Sequence, residues 1–266
     1  MPDLVTPNGR GMGWRPAGPD HLRLKRFASA EPVGALPSSG GICQTGFLPP
    51  IWDQGQTSSC TGHAAARCVA YDRAMQNLPD AGRTPARLMA YYDGRMARGN
   101  QGSDSGAIIG DVFEAISTQG VCFEDGDDGW PFDPSKVLVR PADNCYAAAL
   151  KDQAIDRSAV PQDINYIRAC LNAKYPVAFG ISVFAALDGA DCARGAPVPM
   201  PQPGEPVLGG HAIVAVWYDD PSRYFLINNS WGAGWGLHGS FWLPYDYAAD
   251  PSLSSDFQMI RSMEPA

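Results

Sequence analysis

Asp53-Gln54-Gly55-Gln56-Thr57-Ser58-Ser59-Cys60-Thr61-Gly62-His63-Ala64-Ala65-Ala66 passes at its cysteine from a polar, glycine-containing stretch to an alanine-rich one. Beyond the cysteine, Ala64, Ala65, Cys68, Val69 and Met75 recur at helical spacing, with Arg67 and Arg73 off that face. Cys60 therefore sits where a loop becomes a helix. A thiol placed there feels the positive end of the helix dipole, which favours the thiolate. Gln54, just upstream, carries a side-chain amide that can donate to an oxyanion. Far downstream come Gly209-Gly210-His211-Ala212 and Asn228-Asn229-Ser230-Trp231-Gly232. A thiol, an imidazole and a carboxamide in that order are the parts of a nucleophile, its base and the group that orients the base.

The surrounding sequence divides into three. Residues 1–45 are rich in Pro and Gly and read as an extended arm. Residues 46–150 read as a helical lobe, with helices expected at 61–75, 84–98 and 105–119, the last capped by Ser105 and ended by Gly120. Residues 151–266 read as a β-rich lobe: a helix at 161–173, an alternating strand at 177–184, and strands at 211–218 and 224–229. Residues 185–208, with five prolines, form a long loop of the kind that more often covers or lines a site than supports one. A helical layer followed by a sheet layer predicts an α+β chain of two lobes with a cleft between them.

Asp219-Asp220-Pro221-Ser222-Arg223 between the last two strands is a hairpin signal. Folding the chain about residues 220–221 sets His211 across from residue 229 or 230, and directly opposed residues lie about 5 Å apart. A one-residue slip would send the two side chains to opposite faces. Taken singly, a cysteine is usually a small buried residue, a histidine in an apolar strand a packed one, and Asn-Ser-Trp-Gly a turn. Three segments together, in order, favour the chemical reading.

The bulk properties bound the answer. The 266 residues suffice for a full core, and the net charge of −8 argues against nucleic-acid binding. The charge is uneven: residues 1–30 carry +3 through Arg10, Arg15, Arg23, Lys25 and Arg26 against Asp3 and Asp20, leaving −11 elsewhere. A cationic arm can dock on an anionic body, or stand solvated. No apolar run reaches membrane-spanning length, and no secretory leader is visible, an expectation of a cytoplasmic protein or of export by another route. Of seven cysteines, Cys122 and Cys145 flank Trp130-Pro131-Phe132 as a candidate disulfide or as two buried thiols. No spacing of Cys and His suggests a metal site, and nothing calls for a cofactor. His63 is a rival base by nearness to Cys60, but three residues into the helix it reads as structural; His238 and His21 read as exposed turn and arm residues.

These segments resemble the papain-like cysteine peptidases. Gln54-Gly55 with Ser59-Cys60, Gly209-Gly210-His211-Ala212, and Asn229-Ser230-Trp231-Gly232 with Trp235-Gly236 and Gly239 carry the resemblance, over residues 50–247. It implies a papain-like two-lobe fold, with a helical lobe and an antiparallel β-barrel-like lobe. It implies Cys60 as nucleophile, His211 as base and then acid, Asn229 as orienter, Gln54 as oxyanion donor, and Trp231 as a shield over the Asn–His bond that also faces the cleft. Gly106 would pair its backbone with an extended peptide, and Val177 and Ala178, with the 185–208 loop, would supply pocket side chains. The family's structural disulfide is absent as a pair, because its two ends look like Thr57 and Ser103 here. Thr61-Gly62-His63, Gly13-Trp14-Arg15-Pro16 and Trp130-Pro131-Phe132 are similar to bacterial members. The implied activity is a cysteine endopeptidase acting on peptides or proteins through a thioester, with the arm as a candidate cover of the cleft in cis. The same residues would serve acyl transfer to an amine. The alternative is a papain-fold binding protein that cleaves little.

Overall fold

The structure is a computed structural model that describes residues 4–18, 35–45 and 47–263. The helical lobe is built on α1 (Cys60–Met75), α2 (Arg87–Met96), α3 (Ile109–Gln119) and the short α4 (Asp143–Ala149). In α1 all but the last two residues are buried, so it has no solvent face. Arg67 and Arg73, expected off the packed face, are buried too. Each is compensated: Arg67 donates to the Pro49 and Pro50 carbonyls at 2.9 and 2.7 Å, and Arg73 pairs with Asp152. Helix α3 starts at Ile109, not at Ser105, because residues 103–107 are engaged elsewhere; Gly120 ends it with φ +75°.

The β-lobe is one sheet among the described residues. Its strands are β1 (Ser39–Gly41), β2 (Ala154–Ala159), β3 (Val177–Val183), β4 (Gly209–Asp219), β5 (Tyr224–Asn228), β6 (Ser240–Pro244) and β7 (Ser254–Met263), in the order β2-β7-β3-β4-β5-β6 with β1 on β4. All pairings are antiparallel. Helix α5 (Ile164–Asn172), the single turns α6 (Ala185–Asp188) and α7 (Ala190–Ala193), and α8 (Tyr245–Ala249) pack around it. Strand β1 draws residues 39–41, assigned to the arm from sequence, into this lobe.

Period-two alternation splits the sheet between two cores. Val177, Phe179, Ile181 and Val183 of β3, with Ile213 and Ala215 of β4, fill the β-lobe interior. Ala178 of β3 and Ala212, Val214 and Val216 of β4 face the helical lobe and share a core with α1, α2 and α3. The lobes thus share one apolar core across this face.

Candidate active site

Cys60 is the first residue of α1, and its side chain is fully buried. His211 comes from β4, and Asn229 is the residue immediately after β5. Their Nε2 and Oδ1 atoms are 2.7 Å apart. The hairpin that joins them is offset from the one read in sequence, by two residues from a His211–229 pairing and by one from a His211–230 pairing: Val214 faces Asn228, with a bulge between Ala215 and Trp217, and that register carried on sets residue 231 opposite His211. Asn229 lies two positions from residue 231, hence on the same face, and reaches His211 diagonally. Trp231 stacks on the imidazole, with ring centroids 4.7 Å apart, and seals that hydrogen bond. Asn229 Oδ1 also accepts the Ser230 backbone N–H at 2.8 Å, which fixes the carboxamide.

Gln54 is held from both ends of its amide. Nε2 donates to the Thr57 carbonyl at 2.8 Å, and Oε1 accepts from Ser230 Oγ at 2.6 Å. One of its two N–H bonds is left for another acceptor. Where the resemblance implied a missing disulfide, a carboxylate takes over. Asp104 accepts the Ser58 backbone N–H at 3.0 Å and the Tyr91 hydroxyl at 2.7 Å, and its own carbonyl accepts from Ser58 Oγ at 3.1 Å. Those bonds tie residues 103–106 to the loop before Cys60. Cys122 and Cys145 are both free, buried thiols.

The described part of the arm fills the cleft. Residues 4–12 form a small hairpin, with Val5 bridged to Gly11, Thr6 N–H donating to the Arg10 carbonyl at 2.8 Å, and Met12 N–H to that of Leu4 at 2.7 Å. Buried Asp188 anchors it: its carboxylate accepts from Thr6 Oγ1 at 2.7 Å and from the Asn8 N–H at 3.0 Å, while Arg10 stands 3.8 Å away. The chain then crosses Cys60, with the Trp14 N–H beside the thiol. The Gly11 carbonyl accepts from Trp231 Nε1 at 2.9 Å, and Gly13 and Trp14 both donate to the Gly210 carbonyl, at 2.8 and 3.0 Å. Ala107 N–H donates to Gly13 and Ala107 O accepts from Arg15, at 2.8 and 2.9 Å. The arm's cationic residues 23–26 and His21 lie outside the described residues.

This pairing corrects two sequence expectations. The edge that pairs with an extended chain is Ala107, not Gly106, whose N–H is taken by the Tyr91 hydroxyl at 2.9 Å. Gly106 lines the groove through close approach instead: a Cβ there would lie 2.1 Å from the Gly13 carbonyl, and its φ is +80°. Val177 faces the β-lobe interior and lines no groove, because alternation points it away from the cleft. Ala178 is on the cleft-ward face, in the same cluster as Trp14, Ala107 and Ala212. The Trp14 indole lies on Gly180, where a Cβ would fall 1.8 Å from the ring. A groove of about 780 Å³ continues from there past Ile108, Ser182, Val207 and Gly209.

The cover has an electrostatic consequence. Burial pushes the Cys60 thiol up to about 12, against the backbone N–H groups of Ala212, Thr61 and Trp14, which favour the thiolate. Burial lowers His211 to about 4, opposed by its bond to Asn229. Covered, both groups are neutral. His63 does not compete as a base: its two ring nitrogens face Ser59 and Arg87. His238 is exposed in a turn with φ +52°. Sequence reasoning missed Asp104, Asp188 and Trp14, because each acts through a partner far along the chain.

Residues 36–256 match the family described as papain family cysteine protease. This chain belongs to that family. An uncharacterised peptidase C1-like protein of Acanthamoeba polyphaga mimivirus is 35% identical over 219 residues, covering 79% of this chain and 69% of that protein. Among solved structures, xylellain, a cysteine protease from Xylella fastidiosa, is 33% identical with a TM-score of 0.84, covering 96% of this chain and 97% of its own. Digestive procathepsin L 3 of Tenebrio molitor larval midgut shares the fold at 19% identity, with a TM-score of 0.60 over 93% of this chain and 75% of its own. As a papain family member the chain is a thiol-dependent hydrolase, and its substrates are peptides or proteins. No helix among the described residues is long and apolar enough to cross a membrane.

Proposed function

We propose that the chain is an endopeptidase whose reaction runs on Cys60, His211, Asn229 and Gln54, and that its own residues 4–15 hold it closed. The observation that carries the catalytic reading is the 2.7 Å His211–Asn229 bond, buried under Trp231, in a chain whose α1 begins at Cys60. Once the arm leaves, water returns, and the thiolate–imidazolium pair becomes accessible. The thiolate forms an S–C bond to the scissile carbonyl carbon. The carbonyl electron pair moves to oxygen, where the Cys60 N–H and Gln54 Nε2 donate to it. The tetrahedral species collapses, the C–N bond breaks, and His211 gives its proton to the departing amine. His211 then takes a proton from water, hydroxide adds to the thioester, and the S–C bond breaks to release the acid and restore the pair. Asn229 keeps the ring turned throughout.

Cleavage within a chain is favoured because the arm itself runs past the nucleophile in both directions, from Asp188 to Ser105. A substrate of similar length has room on both sides of the scissile bond. The pairing edge at Ala107 supplies backbone affinity, and the Gly180 and Ala178 face supplies a slot for a bulky side chain. The test is cleavage of a peptide library by the wild-type chain, by Cys60→Ala and by Asp188→Ala. Cleavage inside peptides, lost in Cys60→Ala and raised in Asp188→Ala, supports the reading. Trimming only from one end refutes the endopeptidase assignment, and no gain in Asp188→Ala refutes closure by the arm.

A further inference from the structure

His63 stands three residues after the nucleophile and lies outside the triad, yet it is buried and fully engaged. Its surroundings fix its tautomer. Nε2 faces Nη1 of Arg87 at 3.3 Å, and a guanidinium can only donate. Nε2 therefore accepts, and the ring proton sits on Nδ1. Nδ1–H then donates to the Ser59 carbonyl at 3.0 Å. Arg87 cannot swing away, because Glu124 grips it with two bonds of 2.6 and 2.7 Å. Phe132 packs against the imidazole edge-on, with centroids 5.1 Å apart. Burial, and next the Arg87 charge, depress the His63 pKa well below the usual value, so the ring stays neutral.

The Ser59 carbonyl and the Cys60 N–H are the two ends of one peptide plane. That carbonyl also accepts the His63 backbone N–H at 3.1 Å, so His63 holds it twice. Turning the plane would swing the Cys60 N–H off any oxyanion. Donation to the carbonyl end also strengthens the N–H end as a donor, since bonded amides polarise one another. We propose that His63 is a positioning residue for the oxyanion site: by donating Nδ1–H to the Ser59 carbonyl, it fixes and polarises the peptide whose N–H stabilises the tetrahedral intermediate. The proposal rests on the reading above in which the Cys60 N–H is an oxyanion donor.

The test compares His63→Asn with His63→Gln in the full-length chain. Both replacements are polar and smaller than or similar to the ring. The Asn amide nitrogen falls near the Nδ1 position and can reach the Ser59 carbonyl; that of Gln falls near Nε2 and cannot. Two rates are measured: turnover of a peptidyl coumarin amide, and alkylation of Cys60 by iodoacetamide, which forms no oxyanion. In His63→Gln, kcat should drop about 10- to 100-fold with KM changed less than about threefold, the effect expected of a misplaced oxyanion donor. Its alkylation rate should match the wild type, and His63→Asn should recover most of kcat. Unchanged kcat in His63→Gln overturns the proposal, as does alkylation falling in step with kcat, or Asn no better than Gln. A wild-type chain that is alkylated at Cys60 but cleaves no peptide, or an active Cys60→Ala, refutes the catalytic reading beneath it and the proposal with it.

Discussion

Asp188→Ala should open the cleft. The Asp188 carboxylate is buried and accepts two bonds from the arm hairpin, from Thr6 Oγ1 at 2.7 Å and the Asn8 N–H at 3.0 Å. Removing the carboxylate removes both and strands the Thr6 hydroxyl. At about 1.5 kcal/mol for each charge-assisted bond, the closed form loses about 3 kcal/mol relative to the open one. Each 1.4 kcal/mol is tenfold, so the open fraction rises roughly 150-fold where closure dominates. The Asn8 side chain keeps its 2.8 Å bond to the Asp188 carbonyl, so the hairpin weakens without losing every tether. The assay is the rate of Cys60 alkylation by iodoacetamide, followed by intact mass, because the thiol is fully buried in the closed form with the Trp14 N–H of the arm beside it. A rate raised by about two orders of magnitude is expected. A rate unchanged from wild type, in a variant with the same thermal midpoint, would refute the view that Asp188 holds the arm over the nucleophile.

Three other outcomes follow from the same geometry. Asp104→Ala removes the bonds to the Ser58 N–H and the Tyr91 hydroxyl, costing about 3 kcal/mol in all. Its thermal midpoint should fall by roughly 6–12 °C in calorimetry; a shift inside error would mean that these bonds do not replace the absent disulfide. Gly180→Ala puts a Cβ 1.8 Å from the Trp14 ring, so it should displace the arm and speed alkylation while the thermal midpoint of the body stays put. No acceleration would contradict the packing of Trp14 in that slot. In the closed chain the thiol sits at about 12 and His211 at about 4, so the neutral thiol prevails through the neutral range. Alkylation reports the open form, whose thiolate–imidazolium pair carries as many protons as the closed neutral pair, so the wild-type rate should stay low and nearly flat across the neutral range. Asp188→Ala should raise that rate at every pH without changing its slope, and a wild-type rate climbing about tenfold per pH unit would show the neutral buried thiol reacting directly and count against opening as the gate.

The residues proposed as catalytic were legible because their signals are local. Cys60 sits at a polar-to-apolar transition that does start a helix, and His211 and Asn229 flank a recognisable turn. The hairpin register was not legible: the turn centres one residue later than read, and the bulge between Ala215 and Trp217, which no residue type announces, then shifts the pairing back by one residue. Asn229 still falls on the His211 face, two positions from the residue opposite, which is why the His–Asn contact was still anticipated. Strands β2, β6 and β7 escaped notice because they break simple alternation. β7 buries the polar Gln258 beside Met259 and Ile260, and β6 is five residues ending in Pro244. The buried arginines of α1 were misread for a related reason, since a helix packed on all sides gives no amphipathic stripe. Asp104 and Asp188 look like ordinary loop acids until the fold brings Ser58 to one and Thr6 to the other, 46 and 182 residues away in sequence.

Cys60 is proposed to carry the acyl group during peptide hydrolysis. Acid-quenched turnover of an activated peptidyl ester by the full-length chain, followed by peptide mapping, tests it directly. The expected result is one acyl adduct per chain, on the peptide that contains Cys60, discharged by water and absent from Cys60→Ala. An adduct on any other residue, or hydrolysis that persists in Cys60→Ala, would contradict it.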